Sequence, residues 1–223
     1  MRNTVLLLLL FFTSLSACRK DETTVRCSDA GRVFSTSDGA VVSMSIYLDT
    51  HNSLYLPSFA VWTEKAGKVK TLYATCKAAF KSWDGGVSRR EALPVWYGSN
   101  AREVLQPEVF EIDAVTSATP SVTPFILLVD FLPLRDADTI RVYVEVNASR
   151  DKNEYYRDEV NGQPSVVWQA RGFTNVEGKH IMERFHIIGH GSVDGSGASI
   201  YSDTSGITTA ASLIEKIEIN PSF

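Results

Sequence analysis

Three groups of side chains in this sequence have the types and spacing to do chemistry. The first is Asp113-Ala114-Val115-Thr116-Ser117-Ala118-Thr119, an acid and three hydroxyls among small neighbours. Read by residue type alone, it is a Ser/Thr-rich loop with Asp113 capping a turn. The second is His180, His186 and His190, with Glu183, Asp194 and Asp203 close in sequence. Imidazoles and carboxylates suit zinc or a similar divalent ion. His186 and His190 are four apart, which puts both on one face of a helix, and an even spacing also puts both on one face of a strand. No Glu follows His186, so the His-Glu-x-x-His protease pattern is absent, and one or two hydrogen-bonded histidines beside a loop fit the same residues. The third group is Cys18, Cys27 and Cys76, none at Cys-x-x-Cys spacing. Cys27 and Cys76 either pair with each other or leave Cys76 a buried free thiol.

Two glycine-rich segments lack a recognisable chemistry. Gly189-His190-Gly191-Ser192 is neither a Gly-x-Ser-x-Gly elbow nor a phosphate-binding loop. Asp194-Gly195-Ser196-Gly197 lacks the ligand series of a calcium hand. Trp62, Trp83, Trp96 and Tyr97 would serve as a platform for a sugar or a flavin ring, or fill a core, where such rings bury about 150–250 Å² each.

The elements that must position these groups are mostly short strands. Val42, Met44, Ile46 and Leu48 alternate with Ser43 and Ser45, the period of a half-buried strand. Phe59–Thr63 and Val69–Thr75 flank a turn at Lys65–Lys68 and form a hairpin. Ser88-Arg89-Arg90-Glu91 has capping-box spacing, and Pro94 limits a helix there to about a turn. Residues 113–124 are expected to be loop. Phe125–Phe131, Thr139–Val146, Ser165–Ala170 and Phe185–Ile188 are expected to be strands, with a turn at Gly162-Gln163-Pro164. Residues 189–206 are expected to be loop, and 208–219 a helix or a strand. Short strands with frequent turn signals, and no strand–helix alternation, predict an all-β antiparallel sandwich, immunoglobulin-like, with short helical turns. Whether it is one body or two packed β subdomains is open at this level.

The chain opens with one basic residue, Arg2, an apolar run from Val5 to Phe12, and then Leu15-Ser16-Ala17-Cys18. That order is a secretory signal, too short to span a bilayer, which takes roughly 20 residues. Leu-Ser-Ala-Cys resembles the lipobox of bacterial lipoproteins. The resemblance implies cleavage before Cys18, diacylation of its thiol, and a protein anchored by lipid to the outer membrane of the bacterial envelope, facing the periplasm or the surface. Arg19-Lys20-Asp21-Glu22 resembles the surface-export signals of some outer-membrane bacteria. The expected organisation is a lipoprotein signal peptide at 1–17, lipidated Cys18 with a tether to residue 38, and a β-sandwich over 39–223. With 22 Lys and Arg against 26 Asp and Glu in 223 residues, a net charge of −4 argues against nucleic acid, whose affinity rests on many cationic contacts to phosphate.

The Asp113–Thr119 segment also resembles the covalent flavin-attachment motif of FMN-binding domains in sodium-pumping and electron-bifurcating membrane complexes. That motif has Asp, two variable residues, Ser or Thr, Gly, Ala, then the acceptor Thr. Asp113, Thr116, Ala118 and Thr119 match it, and Ser117 stands where Gly is expected. The resemblance implies a phosphoester between the Thr119 hydroxyl and FMN, made by a flavin transferase. Phe59-Ala60-Val61-Trp62, Leu93-Pro94-Val95-Trp96, the 113–120 segment, Tyr143-Val144-Glu145-Val146-Asn147 and Gly162-Gln163-Pro164-Ser165 occur in one order. Together they resemble a family of exported β-sandwich proteins found alongside flavin transferases and flavin-bearing membrane proteins. The expectation is an accessory protein or FMN carrier in an extracytoplasmic redox system. A non-catalytic surface module for a glycan, peptide or partner protein is the rival reading, and a metal-dependent hydrolase built on the histidines the third.

Overall fold

The computed structural model describes residues 33–35, 42–49, 56–75, 78, 92–100, 115–117, 123–129, 139–159, 161–174 and 180–221. Residues 1–17 with the expected signal peptide, Cys18, Cys27, Cys76, Trp83, the Ser88–Glu91 box, Asp113, Ala118 and Thr119 lie outside these residues.

Two sheets form an all-β sandwich. The smaller contains β1 (Val33–Ser35), β2 (Val42–Leu48), β6 (Phe125–Val129) and β11 (Ile214–Pro221), in the order β1-β6-β2-β11. The larger contains β3 (Ser58–Lys65), β4 (Lys68–Thr75), β5 (Val115–Ser117), β7 (Thr139–Asn147), β8 (Val166–Thr174) and β10 (His186–His190). Its order is β10-β8-β7-β3-β4-β5, and β9 (His180–Met182) pairs with β8 beyond β10. Pairing is antiparallel apart from β1 with β6 and β4 with β5. Two short helices complete the described residues, α1 (Pro94–Ser99) and α2 (Thr209–Ser212).

Alternation selects which side chains meet between the sheets. Met44 and Ile46 of β2 and Phe125 and Leu127 of β6 face Phe59 and Val61 of β3 and Val142, Val144 and Val146 of β7. Phe59 stacks on Tyr73 at 5.0 Å and meets Phe125 edge-on at 5.4 Å, tying the sheets through three rings. One core therefore draws on both sheets, rather than a separate core in each of two subdomains. The larger sheet is also buried on its outer face, where Ala60, Trp62, Ala74, Tyr143 and Val167 lie under Leu93, Val95 and Trp96. Burial on both faces explains why Phe59–Trp62 reads as a continuous apolar run rather than an alternating one. Trp62 stacks on Tyr143 at 5.1 Å. Trp62 and Trp96 are thus packing residues and not an exposed platform.

Four local expectations change. Pro94 does not terminate a helix but opens one, at the first position, where its missing N–H costs nothing. Residues Val115–Ser117, expected as loop, add to β4 as an edge strand. Val33–Ser35, expected as tether, pair with β6. Residues 208–219 contain both a helix and a strand.

The hairpin between β3 and β4 turns at Ala66 and Gly67, both with positive φ (49° and 73°), the geometry that matches strand twist in a two-residue loop. Gly162 also has a positive φ (83°), but a Cβ there would lie 2.5 Å from the Asp151 carbonyl oxygen, whereas one on Gly67 would meet nothing within 4 Å. Gly67→Ala is therefore expected to cost only the left-handed backbone penalty, about 1–2 kcal/mol. Gly162→Ala adds a backbone clash and is expected to cost at least about 3 kcal/mol by urea unfolding. Equal costs would contradict this packing.

Candidate functional site

The structure separates the sequence-predicted residues. Thr116 lies in β5, paired with Ala74 at the edge of the larger sheet. His186 and His190 do not share a face. A bulge between Ile187 and Gly189 sets His186 opposite Gln169 and His190 opposite Val166, partners three apart on β8 and so on opposite sides of the sheet. The exposed His186 ring lies 3.4 Å from the Arg184 carbonyl, and the His190 ring lies 2.7 Å from the Gly191 carbonyl and stacks on Tyr201 at 5.5 Å. Among the described residues no group of three or more His, Cys, Asp or Glu could hold a metal ion. The even-spacing argument for a shared histidine face fails because the bulge adds one residue.

Among the described residues the most perturbed group is Glu145, fully buried on the outer face of β7. Pro94 has no N–H, so the first free donors of α1 are those of Val95 and Trp96. They donate to Glu145 Oε1 at 3.2 Å and Oε2 at 2.6 Å, and Ser165 Oγ donates to Oε1 at 2.5 Å. The rest of α1 is tied down by Trp96, whose indole N–H donates to Thr71 Oγ1. That hydroxyl donates to Asn100, whose amide returns to the Trp96 carbonyl. Gly191 seals the carboxyl, since a Cβ there would lie 2.5 Å from Pro94, 2.6 Å from Ser165 Oγ and 3.1 Å from Glu145 Oε1. Loss of water outweighs these three hydrogen bonds and pushes the Glu145 carboxyl up to about 7. An acid this enclosed has no space beside it for a substrate. Its role is to hold α1 on the sheet. In the sequence Glu145 sits on what alternation gives as the polar face of β7, and no local signal marks that face as covered.

The loops following β7 and β10 carry a set of solvent-facing polar and aromatic groups. Asn153 Oδ1 accepts the N–H groups of Tyr155 and Tyr156 at 2.9 Å each, and its amide donates to the Gly206 carbonyl and Thr208 Oγ1. Gln163, fully buried, donates to Asp151 and Thr209 and accepts from the Thr208 N–H at 2.7 Å. His190 and Tyr201 exchange backbone hydrogen bonds at 2.9 Å. On this framework Tyr155 is 64% exposed, Tyr201 48% and Ile200 36%. Asp194 and Asp203 are solvent-exposed and held below the usual carboxylate range, Asp194 by hydrogen bonds from the Ser196 hydroxyl and N–H, Asp203 by those from the Ser205 N–H and hydroxyl. The result is exposed rings on loops that also carry ionised carboxylates, and partial burial followed by the nearby Asp203 charge pushes the Tyr156 hydroxyl up. The tyrosines were missed in the sequence because neither lies in an apolar alternation: Tyr155 stands beside Tyr156 among charged residues, and Tyr201 in a Gly- and Ser-rich run.

No protein family, curated protein or solved structure matches the chain.

The Glu145 shift fixes a sign for pH dependence. In the unfolded chain the carboxyl titrates near 4.5 and in the fold near 7, so between these values the folded state holds the extra proton. Raising pH through this window therefore destabilises the fold, by about 3 kcal/mol once both forms are ionised. Glu145→Gln removes that slope. Urea unfolding of both proteins should show the Gln variant gaining roughly that amount on the wild type between pH 4.5 and 7.5. A constant difference across the range would contradict the assignment.

Proposed function

We propose that this protein is a non-catalytic binding module of the bacterial cell envelope, held to the membrane by lipid on Cys18, that takes a glycan on the Tyr155–Tyr201 loops. The observation that carries the reading is the contrast between a buried acid with no access and exposed tyrosines on a hydrogen-bonded loop framework. Flat rings give area at low entropic cost, and Ser, Gly and Asn beside them give adaptable hydrogen bonding, the composition of many recognition loops. Residues 189–206 are rich in Ser and Gly, and Asn153 reaches the Gly206 carbonyl from the other loop. The ionised Asp194 and Asp203 would accept hydroxyl protons from the ligand.

The test is binding of the full-length protein in detergent to an array of envelope and host glycans. Tyr155→Ala and Tyr201→Ala should each weaken the glycan retained by the wild type about tenfold, as loss of an aromatic anchor does. Unchanged affinity in both variants, or no retained glycan, would overturn the reading.

A second reading, an accessory or FMN carrier served by a flavin transferase beside a redox membrane protein, draws support from β5. Thr116 sits in an edge strand of the larger sheet, and Thr119 follows the end of that strand by two residues. Covalent FMN on Thr119 would add one FMN less water to the intact mass, with loss of the adduct in Thr119→Ala. An unmodified chain in cells that flavinylate a known acceptor would reject the carrier.

A further inference from the structure

Among the described residues β11 pairs only with β2, leaving its other edge without a strand partner. Beside it runs a groove of about 570 Å³. Its apolar lining comes from Ile217 and Ile219 on β11 and from Trp168, Met182 and Phe185 on the larger sheet. These side chains belong to the inner layer but are only partly buried. An unpaired edge with half-covered apolar residues behind it is a template for another strand.

We propose that a second copy of this chain occupies that edge, its β11 antiparallel to this one about a two-fold axis through Ile217. The register follows from parity and charge. For the inner faces of both copies to lie on one side, the axis must pass through a residue rather than between two. Centred on Ile217, the pairing sets Lys216 opposite Glu218 of the second copy and Glu218 opposite Lys216 of the second copy, with the two Ile217 side chains in contact. Centred on Glu218 it would set Glu against Glu, and centred on Lys216 it would set Lys against Lys. In the single chain Lys216 and Glu218 already share one face, paired at 2.9 Å over the Tyr47 ring. The strand thus carries a self-complementary charge pattern, as an isologous contact requires. An edge lysine ordinarily discourages pairing. Here it discriminates between registers, and the bulge between Ile214 and Lys216 and the proline at position 221 limit the ladder to the segment between them.

The test uses the full chain in detergent. Sedimentation should give twice the chain mass. Ile217→Cys should form a disulfide-linked dimer under mild oxidation, beyond the background from the chain's own three cysteines, while Ile219→Cys, displaced from the axis, should not. Lys216→Glu, placed in the Ile217→Cys background, should lower the cross-link roughly tenfold, and adding Glu218→Lys should restore it. A monomer that gives no cross-link at position 217, equal cross-linking at 217 and 219, or a cross-link from 217 to a different protein would each overturn the proposal.

Discussion

A strand sheet with apolar side chains on both faces must be covered on both. In this protein the inner face of the larger sheet is covered by the smaller sheet, and among the described residues the outer face is covered by the turn-and-a-half of α1 with Ala92, Leu93 and Ala78 beside it. So short a helix cannot hold itself together by its own hydrogen bonds. What fixes it is the carboxyl of Glu145, which accepts the first two available N–H groups of α1 and the Ser165 hydroxyl. Trp96 then donates its indole N–H to Thr71 and accepts the Asn100 amide at its carbonyl. Gly191, Ser165 and Pro94 are constrained by this one group, which brings together four segments distant in sequence.

That arrangement also decides where chemistry is excluded. A carboxyl pushed up to about 7 would, in an open cleft, be a candidate general acid or base. Here the same shift comes from complete enclosure, and the helix, the serine and the glycine leave no room for a reacting molecule. The exposed tyrosines lie instead on loops braced by Gln163, Asn153 and Asp151, in which side-chain hydrogen bonds take the place of a sheet ladder. A framework of this kind fixes the backbone beneath the exposed tyrosines, with His190 stacked on Tyr201.

Much of the sheet structure was legible in the sequence, because alternation in Val42–Leu48 and Thr139–Val146 reports burial on one face directly. The continuous run at Phe59–Trp62 gave a strand but not the reason for its continuity, which is the helix on its far side. Pro94 misled because the same absent N–H that breaks a helix interior suits a helix start, and only the neighbouring Glu145 decides between them. The histidine pair misled because a bulge has no marker in spacing, although Gly189 between them hinted at irregular backbone. The tyrosine loops and the buried glutamate were both illegible for one reason. Each depends on contacts between segments far apart in sequence, and neither has a local pattern.

The constraint on α1 is most directly tested by amide hydrogen exchange at neutral pH. If Glu145 fixes the helix, the Trp96 amide exchanges as slowly as the central amides of β7, and Glu145→Ala speeds it while leaving the Val61 and Val144 amides slow. A Trp96 amide that exchanges in the wild type as fast as the exposed turn at Ala66–Gly67 would contradict the account.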